Sequence, residues 1–161
     1  SDKVYEIISR KKDLNLTGEL CGKEPDAVVI IATDDSGERI LLNKEFRMAV
    51  GEWVYSFPAG LIESGETYLE CAKRELREET GLELYEVDDF MEASYSAVSF
   101  GNEKNVCLVG KAKGEFHASS SPSEEINCGF FDKSEVRALL RTAPFAARTQ
   151  AYCYLWSKMS Y

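Results

Sequence analysis

The chain has one histidine, His117, and five cysteines, Cys21, Cys71, Cys107, Cys128 and Cys153, no two of them in a C-x-x-C pair. A zinc centre built from nitrogen and sulfur ligands therefore has too few donors at the right spacing. The odd cysteine count also argues against a disulfide framework. The thiols are expected to be free, mostly buried and in a reducing cytoplasm. No apolar run approaches the ~20 residues of a membrane span. The start lacks the basic, then apolar, then small-residue order of a secretory signal. No basic stripe offsets the net charge of −9, so no nucleic acid is expected as a partner, and without a membrane-length apolar run no membrane is expected either. An acidic chain can still take a phosphate substrate, through local arginine or lysine or a divalent cation.

What is present describes a globular domain. The length of 161 residues fits one domain, 1–161, and 44% hydrophobic with 29% charged residues is ordinary for such a fold. No internal repeat or long linker appears. Two alternating stretches between Lys3 and Gly22 predict an N-terminal hairpin arm over 1–24. Ala27 to Ala32 is continuously apolar and ends at Asp34-Asp35-Ser36-Gly37, as a buried strand followed by a turn does. Further strands are expected over Arg39–Arg47, Trp53–Phe57, Phe90–Ser96, Asn105–Ala112 and Asn127–Phe131. Helices are expected near Thr67–Thr80, Lys133–Arg141 and Phe145–Lys158. The mixture predicts an α/β (α+β) domain with helices on both faces of a mixed sheet.

The chemistry concentrates between Gly60 and Leu82. Thr67 and Glu70 have the spacing of a capping box, and Gly81 fits the left-handed residue that ends a helix. Between them Leu69, Ala72 and Leu76 share one apolar stripe. Glu75, Glu78 and Glu79 gather beside it at i, i+3 and i+4. Like charges at that spacing destabilise a helix by roughly 0.2–0.5 kcal/mol per pair. A hard divalent cation would offset the repulsion, and so would neighbouring Lys73, Arg74 and Arg77.

The full spacing separates these alternatives. Gly60, Glu66, Arg74, Glu75, Leu76, Glu78, Glu79, Gly81 and Leu82 match the Nudix box, Gly-x5-Glu-x7-Arg-Glu-aliphatic-x-Glu-Glu-x-Gly-aliphatic. At ordinary residue usage a chance match is on the order of one in a billion per starting position. The chain thus resembles the Nudix hydrolases, which implies an α/β/α sandwich around a mixed sheet and Mg²⁺ or Mn²⁺ as cofactor. By that resemblance Glu75, Glu79, Glu78 and the carbonyl of Ala59 are the metal ligands. Glu66 and Arg74 orient them, and Glu78 and Arg74 count among the catalytic residues.

Phe46-Arg47 followed by Pro58-Ala59-Gly60-Leu61-Ile62-Glu63 resembles the ADP-ribose pyrophosphatase branch. The resemblance implies Arg47 as a contact of the substrate phosphates and Glu103 as a further metal or substrate contact. It implies a catalytic base on a late loop, Glu124 before Glu125. It also allows a homodimer, as members of that branch commonly pair. Ser56 departs from the branch, where many members carry Glu, and Ser96 to Glu103 lacks the proline of the comparable loop. The implied substrate is a small nucleotide, a nucleoside diphosphate linked to a group X such as ADP-ribose. Its cleavage would give a nucleotide monophosphate and a sugar phosphate. Two alternatives are a triphosphate-sanitising enzyme releasing pyrophosphate and a nucleotide-binding domain without turnover.

Overall fold

A computed structural model describes residues 4–12, 14, 17–20, 24–118 and 126–160. Strand β1, Ala27–Thr33, lies in the middle of the sheet. It pairs in parallel with β6, Lys104–Lys113, from Ala27↔Asn105 to Thr33↔Lys111. Its other edge takes the three-residue strand β4, Ala59–Leu61, at one end and the start of β2, Arg39–Arg47, at the other. Strand β3, Glu52–Ser56, and β7, Ile126–Asp132, both pair antiparallel with β2. Strand β5, Glu83–Tyr95, closes the far edge against β6. The sheet is mixed and has seven strands among the described residues.

Six of the seven residues of β1 are buried, which explains its unbroken apolar sequence. Val28, Ile30 and Ala32 pack under helix α1, Tyr68–Thr80, together with Cys71, Ala72 and Leu76. Val29 and Ile31 face the opposite layer, where α2, Lys133–Thr142, contributes Val136 and α3, Ala147–Trp156, contributes Cys153 and Trp156. One strand thus divides two cores by its period of two. The expected α/β/α layering is observed, and Tyr152 and Trp156 belong to the core.

Helix α1 starts and stops where its sequence directs. Thr67 accepts the Glu70 amide, Glu70 returns the bond, and Gly81 ends the helix at φ 83°. A Cβ at Gly81 would also lie 2.5 Å from His117 Cδ2, so both conformation and space demand glycine there. Asp132 and Glu135 repeat the capping box at α2. One element differs from expectation. Strand β5 begins at Glu83, directly after the helix, and not near Phe90. The hairpin arm expected over 1–24 lies partly outside the described residues. Within its described part, Ile8 bridges Gly101, and Thr17–Leu20 is a 3₁₀ turn.

Candidate active site

Position along the sheet decides which side chains meet. On β2, Ile40 and Leu42 enter the α2/α3 core, whereas Leu41 enters the α1 core. The alternation puts Asn43, Glu45 and Arg47 on the α1 side. Asn43 is 1% exposed, and its Nδ2 donates to Glu79 Oε2 at 2.6 Å. Glu45 and Arg47 continue outward and pair at 2.8 Å. Across from them, β4 brings Ala59, Gly60 and Leu61 beneath α1. The result is a cavity of about 450 Å³ lined by Glu75 and Glu79 from the helix, Ala59 to Leu61 from β4, Glu45 and Arg47 from β2, and Glu103 and Asn105 near β6. Arg10 reaches its wall from the N-terminal segment.

Gly60 is required by its neighbour. A Cβ there would sit 1.8 Å from Glu75 Cδ and 2.1 Å from Oε1. The Glu75 carboxylate lies directly over the glycine, so the first fixed position of the motif serves the later one. Arg74 holds the arrangement from the flank. Its Nε and Nη2 donate to the two Glu66 oxygens at 2.8 and 2.9 Å, its Nη1 to Glu75 at 2.6 Å, and its Nη2 to the Leu61 carbonyl at 2.9 Å. Helix, loop and β4 are tied through one guanidinium. The hydrogen bonds from Arg74 bring the Glu66 pKa down to about 2. Those to Glu66, and then to Glu75, raise that of Arg74 above its ordinary value. Each charge stabilises the other, so both stay ionised at neutral pH. Burial pushes the Cys71 thiol up to about 12, which makes it inert packing between α1 and the β4 carbonyls.

The structure therefore brings Ala59, Glu75, Glu79, Arg47 and Glu103 to one cavity. Glu78 is not among its lining residues. Its side chain is half exposed and meets Arg74 Nη1 at 3.3 Å on the helix flank. Glu103 is held by Arg10 at 2.5 Å and by the Ser96 hydroxyl at 3.1 Å. Glu124 and Glu125 lie outside the described residues. Their neighbours on either side are placed: His117 N donates to the Thr80 carbonyl at the end of α1, and Ile126 pairs with Glu45 in the cavity wall. His117 is exposed at that helix end. Of the four cysteines among the described residues, all are free, and Cys71, Cys107 and Cys153 are buried.

Asn43, Glu45, Arg10 and Asn105 were not singled out by sequence. Asn43 had a signal, as a polar residue following Ile40-Leu41-Leu42 in a strand flanked by partners on both edges. The others become visible only when β2, β6 and the N-terminal segment converge.

The NUDIX domain family model matches residues 23–153. The chain belongs to the Nudix family. It is 28% identical over 143 residues to the NAD-capped RNA hydrolase NudC of Mycobacterium tuberculosis, covering 84% of this chain and 42% of that protein. It is 36% identical over 81 residues to the ADP-ribose pyrophosphatase of Bacillus subtilis, covering 50% of this chain and 43% of that one. The chain thus spans less than half the length of these relatives. The crystal structure of an ADP compounds hydrolase superposes with a TM-score of 0.65 at 23% identity, over 81% of this chain and 69% of the other. That likeness shows a shared fold. Nudix hydrolases in general use divalent metal ions, and no helix among the described residues is long and apolar enough to cross a membrane.

The oxygen donors lining this cavity are of the kind that suits a hard divalent cation. Glu75 and Glu79 bring carboxylates to the cavity and Ala59 is a residue of its wall, and oxygen is the ligand type that hard divalent cations prefer. Among the described residues no three His, Cys, Asp or Glu side chains form a closed metal cage.

Proposed function

We propose that this Nudix protein hydrolyses the pyrophosphate bond of a nucleoside diphosphate linked to a group X, ADP-ribose or a related nucleotide sugar. The supporting observation is the convergence of Glu75, Glu79 and Ala59 in one acid-lined cavity with Arg47 in its wall. Glu75, Glu79 and the Ala59 carbonyl would hold Mg²⁺ or Mn²⁺, with Glu78 at the flank. When bound, the cation would neutralise the pyrophosphate and polarise the phosphorus under attack.

The protein's own groups do the rest. Arg74 fixes Glu75 and Glu66 before substrate arrives, so no reorganisation is needed during the reaction. Asn43 sets the Glu79 carboxylate by a buried hydrogen bond. Arg47 contacts a substrate phosphate, for which its guanidinium exchanges or shares its link to Glu45. Glu124 is proposed to accept the proton of the attacking water, from the segment whose next residue, Ile126, pairs with Glu45. Water adds to one phosphorus, the bridging P–O bond breaks, and a nucleotide monophosphate and a sugar phosphate leave.

Product analysis with Mg²⁺ and ADP-ribose, ADP-glucose, diadenosine polyphosphates and 8-oxo-dGTP tests this reading. AMP with ribose 5-phosphate, lost in Glu79→Gln, is the expected result. Pyrophosphate from the triphosphate would reassign the protein to nucleotide sanitising. Binding without any product would make it a nucleotide-binding domain.

A further inference from the structure

The cleft continues beyond the carboxylates. A second cavity of about 630 Å³ adjoins it, and Arg47, Ala59, Glu103 and Asn105 line both. Its size falls within the roughly 300–1,000 Å³ of small-molecule sites. A molecule whose pyrophosphate sits by Glu75, Glu79 and Ala59 can extend one end into this second space. The inference rests on that reading of the cleft.

The charge of the second cavity differs from the first. Its charged lining residues are Arg47, Arg148 and Glu103. Glu103 is already engaged by Arg10 at 2.5 Å. Arg148, half-buried, is positioned by a neutral group. The Asn105 carboxamide, in the orientation that satisfies its neighbours, accepts Arg148 Nη1 at 3.1 Å and the Ser96 hydroxyl at 2.5 Å. A guanidinium carries five N–H donors, so this contact aims the group and leaves its charge uncompensated. Among the described residues, no carboxylate forms an ion pair with Arg148.

Two further features point the same way. Helix α3 starts beside Arg148 with Ala146 as its cap residue and no side-chain acceptor on its first amides, which gives that end a partial positive charge. Ser56, 9% exposed, lines the cavity, and its buried Oγ has no hydrogen-bond partner among the described residues. A buried unpaired hydroxyl calls for a ligand or water to satisfy it.

We propose that this cavity binds a phosphate monoester carried by one end of the substrate beyond the pyrophosphate, with Arg148 as the residue that reads it. The preferred substrates are then nucleoside diphosphate-X compounds with an additional phosphate, and the family resemblance to unphosphorylated ADP-ribose covers only the reacting centre.

Matched pairs differing by one phosphate test this. ADP-ribose is compared with its 2′-phosphate and its 1″-phosphate, by kcat/KM with Mg²⁺ and by calorimetric Kd. At least one phosphorylated member is expected to be favoured about tenfold or more, as a charge-assisted bidentate contact provides. The ratio should collapse towards one in Arg148→Ala and be partly retained in Arg148→Lys, which also guards against misfolding of the alanine variant. Equal handling of all three compounds by the wild type, or a ratio that survives in Arg148→Ala, overturns the proposal while leaving the hydrolase reading intact. Neither turnover nor binding of any member would overturn the hydrolase reading, and this inference with it.

Discussion

Replacing Gly60 by alanine should separate folding from chemistry. The backbone at Gly60 lies outside the left-handed region, so alanine introduces no conformational strain. What it meets is Glu75, with Cδ 1.8 Å from the new Cβ. Ordinary van der Waals contact begins near 3.4 Å, so the carboxylate must retreat by 3.4 − 1.8 = 1.6 Å. The obstructing atoms belong to a flexible side chain at a cavity wall, and its displacement costs the fold little. Its hydrogen bond from Arg74 Nη1 at 2.6 Å is lost or rebuilt elsewhere. A misplacement of about 1 Å at a reacting centre can cost ~10²-fold in rate. Gly60→Ala should therefore lower kcat/KM by about a hundredfold and raise the Mg²⁺ concentration needed for half-maximal rate. Its melting temperature should stay within about 4 °C of the wild type, equivalent to ~1 kcal/mol for a domain of this size. Initial rates over a Mg²⁺ titration, with a thermal melt on the same sample, measure both. Activity within threefold of wild type would refute the claim that Glu75 must occupy the space above Gly60.

Asn43→Ala removes the amide that donates to Glu79 at 2.6 Å and should cost about 1–3 kcal/mol of stability. The metal requirement should rise in urea-unfolding and Mg²⁺-titration experiments, and an unchanged metal dependence would count against Asn43 as a positioning residue. Glu66 is more acidic in the folded chain, with its pKa brought from 4.5 to about 2 by Arg74. Its stabilising effect is therefore complete above pH 4.5 and is lost as pH falls from 4.5 towards 2. Glu66→Gln should accordingly flatten that part of the wild-type stability curve, as read by denaturant unfolding at successive pH values. Leu76→Ala empties a fully buried position between α1 and β1 and should destabilise by about 2–5 kcal/mol, seen as a lower urea midpoint at unchanged slope.

Much of this was legible in one dimension because the interactions are local. The capping box of α1, its glycine stop and the buried Ala72–Leu76 stripe all lie within 15 residues, and periodicity alone places Glu75 and Glu79 on one face. The apolar run of β1 announced a strand covered on both sides. Short-range rules failed where an element exists only through its partner. Strand β4 is three residues long and is a strand because Ala27, Val28 and Val29 pair with it.

The sequence by itself determined the family, the layered fold and the helix that carries the carboxylates, since these follow from spacing and pattern within single segments. Only the tertiary structure decided which groups share a cavity. It brought Asn43, 36 residues before Glu79, to that carboxylate through β2, left Glu78 on the helix flank, and joined Arg148 to Asn105 across α3 and β6. Those contacts depend on strand order and on the angle at which helices cross the sheet, which no local stretch of residues encodes.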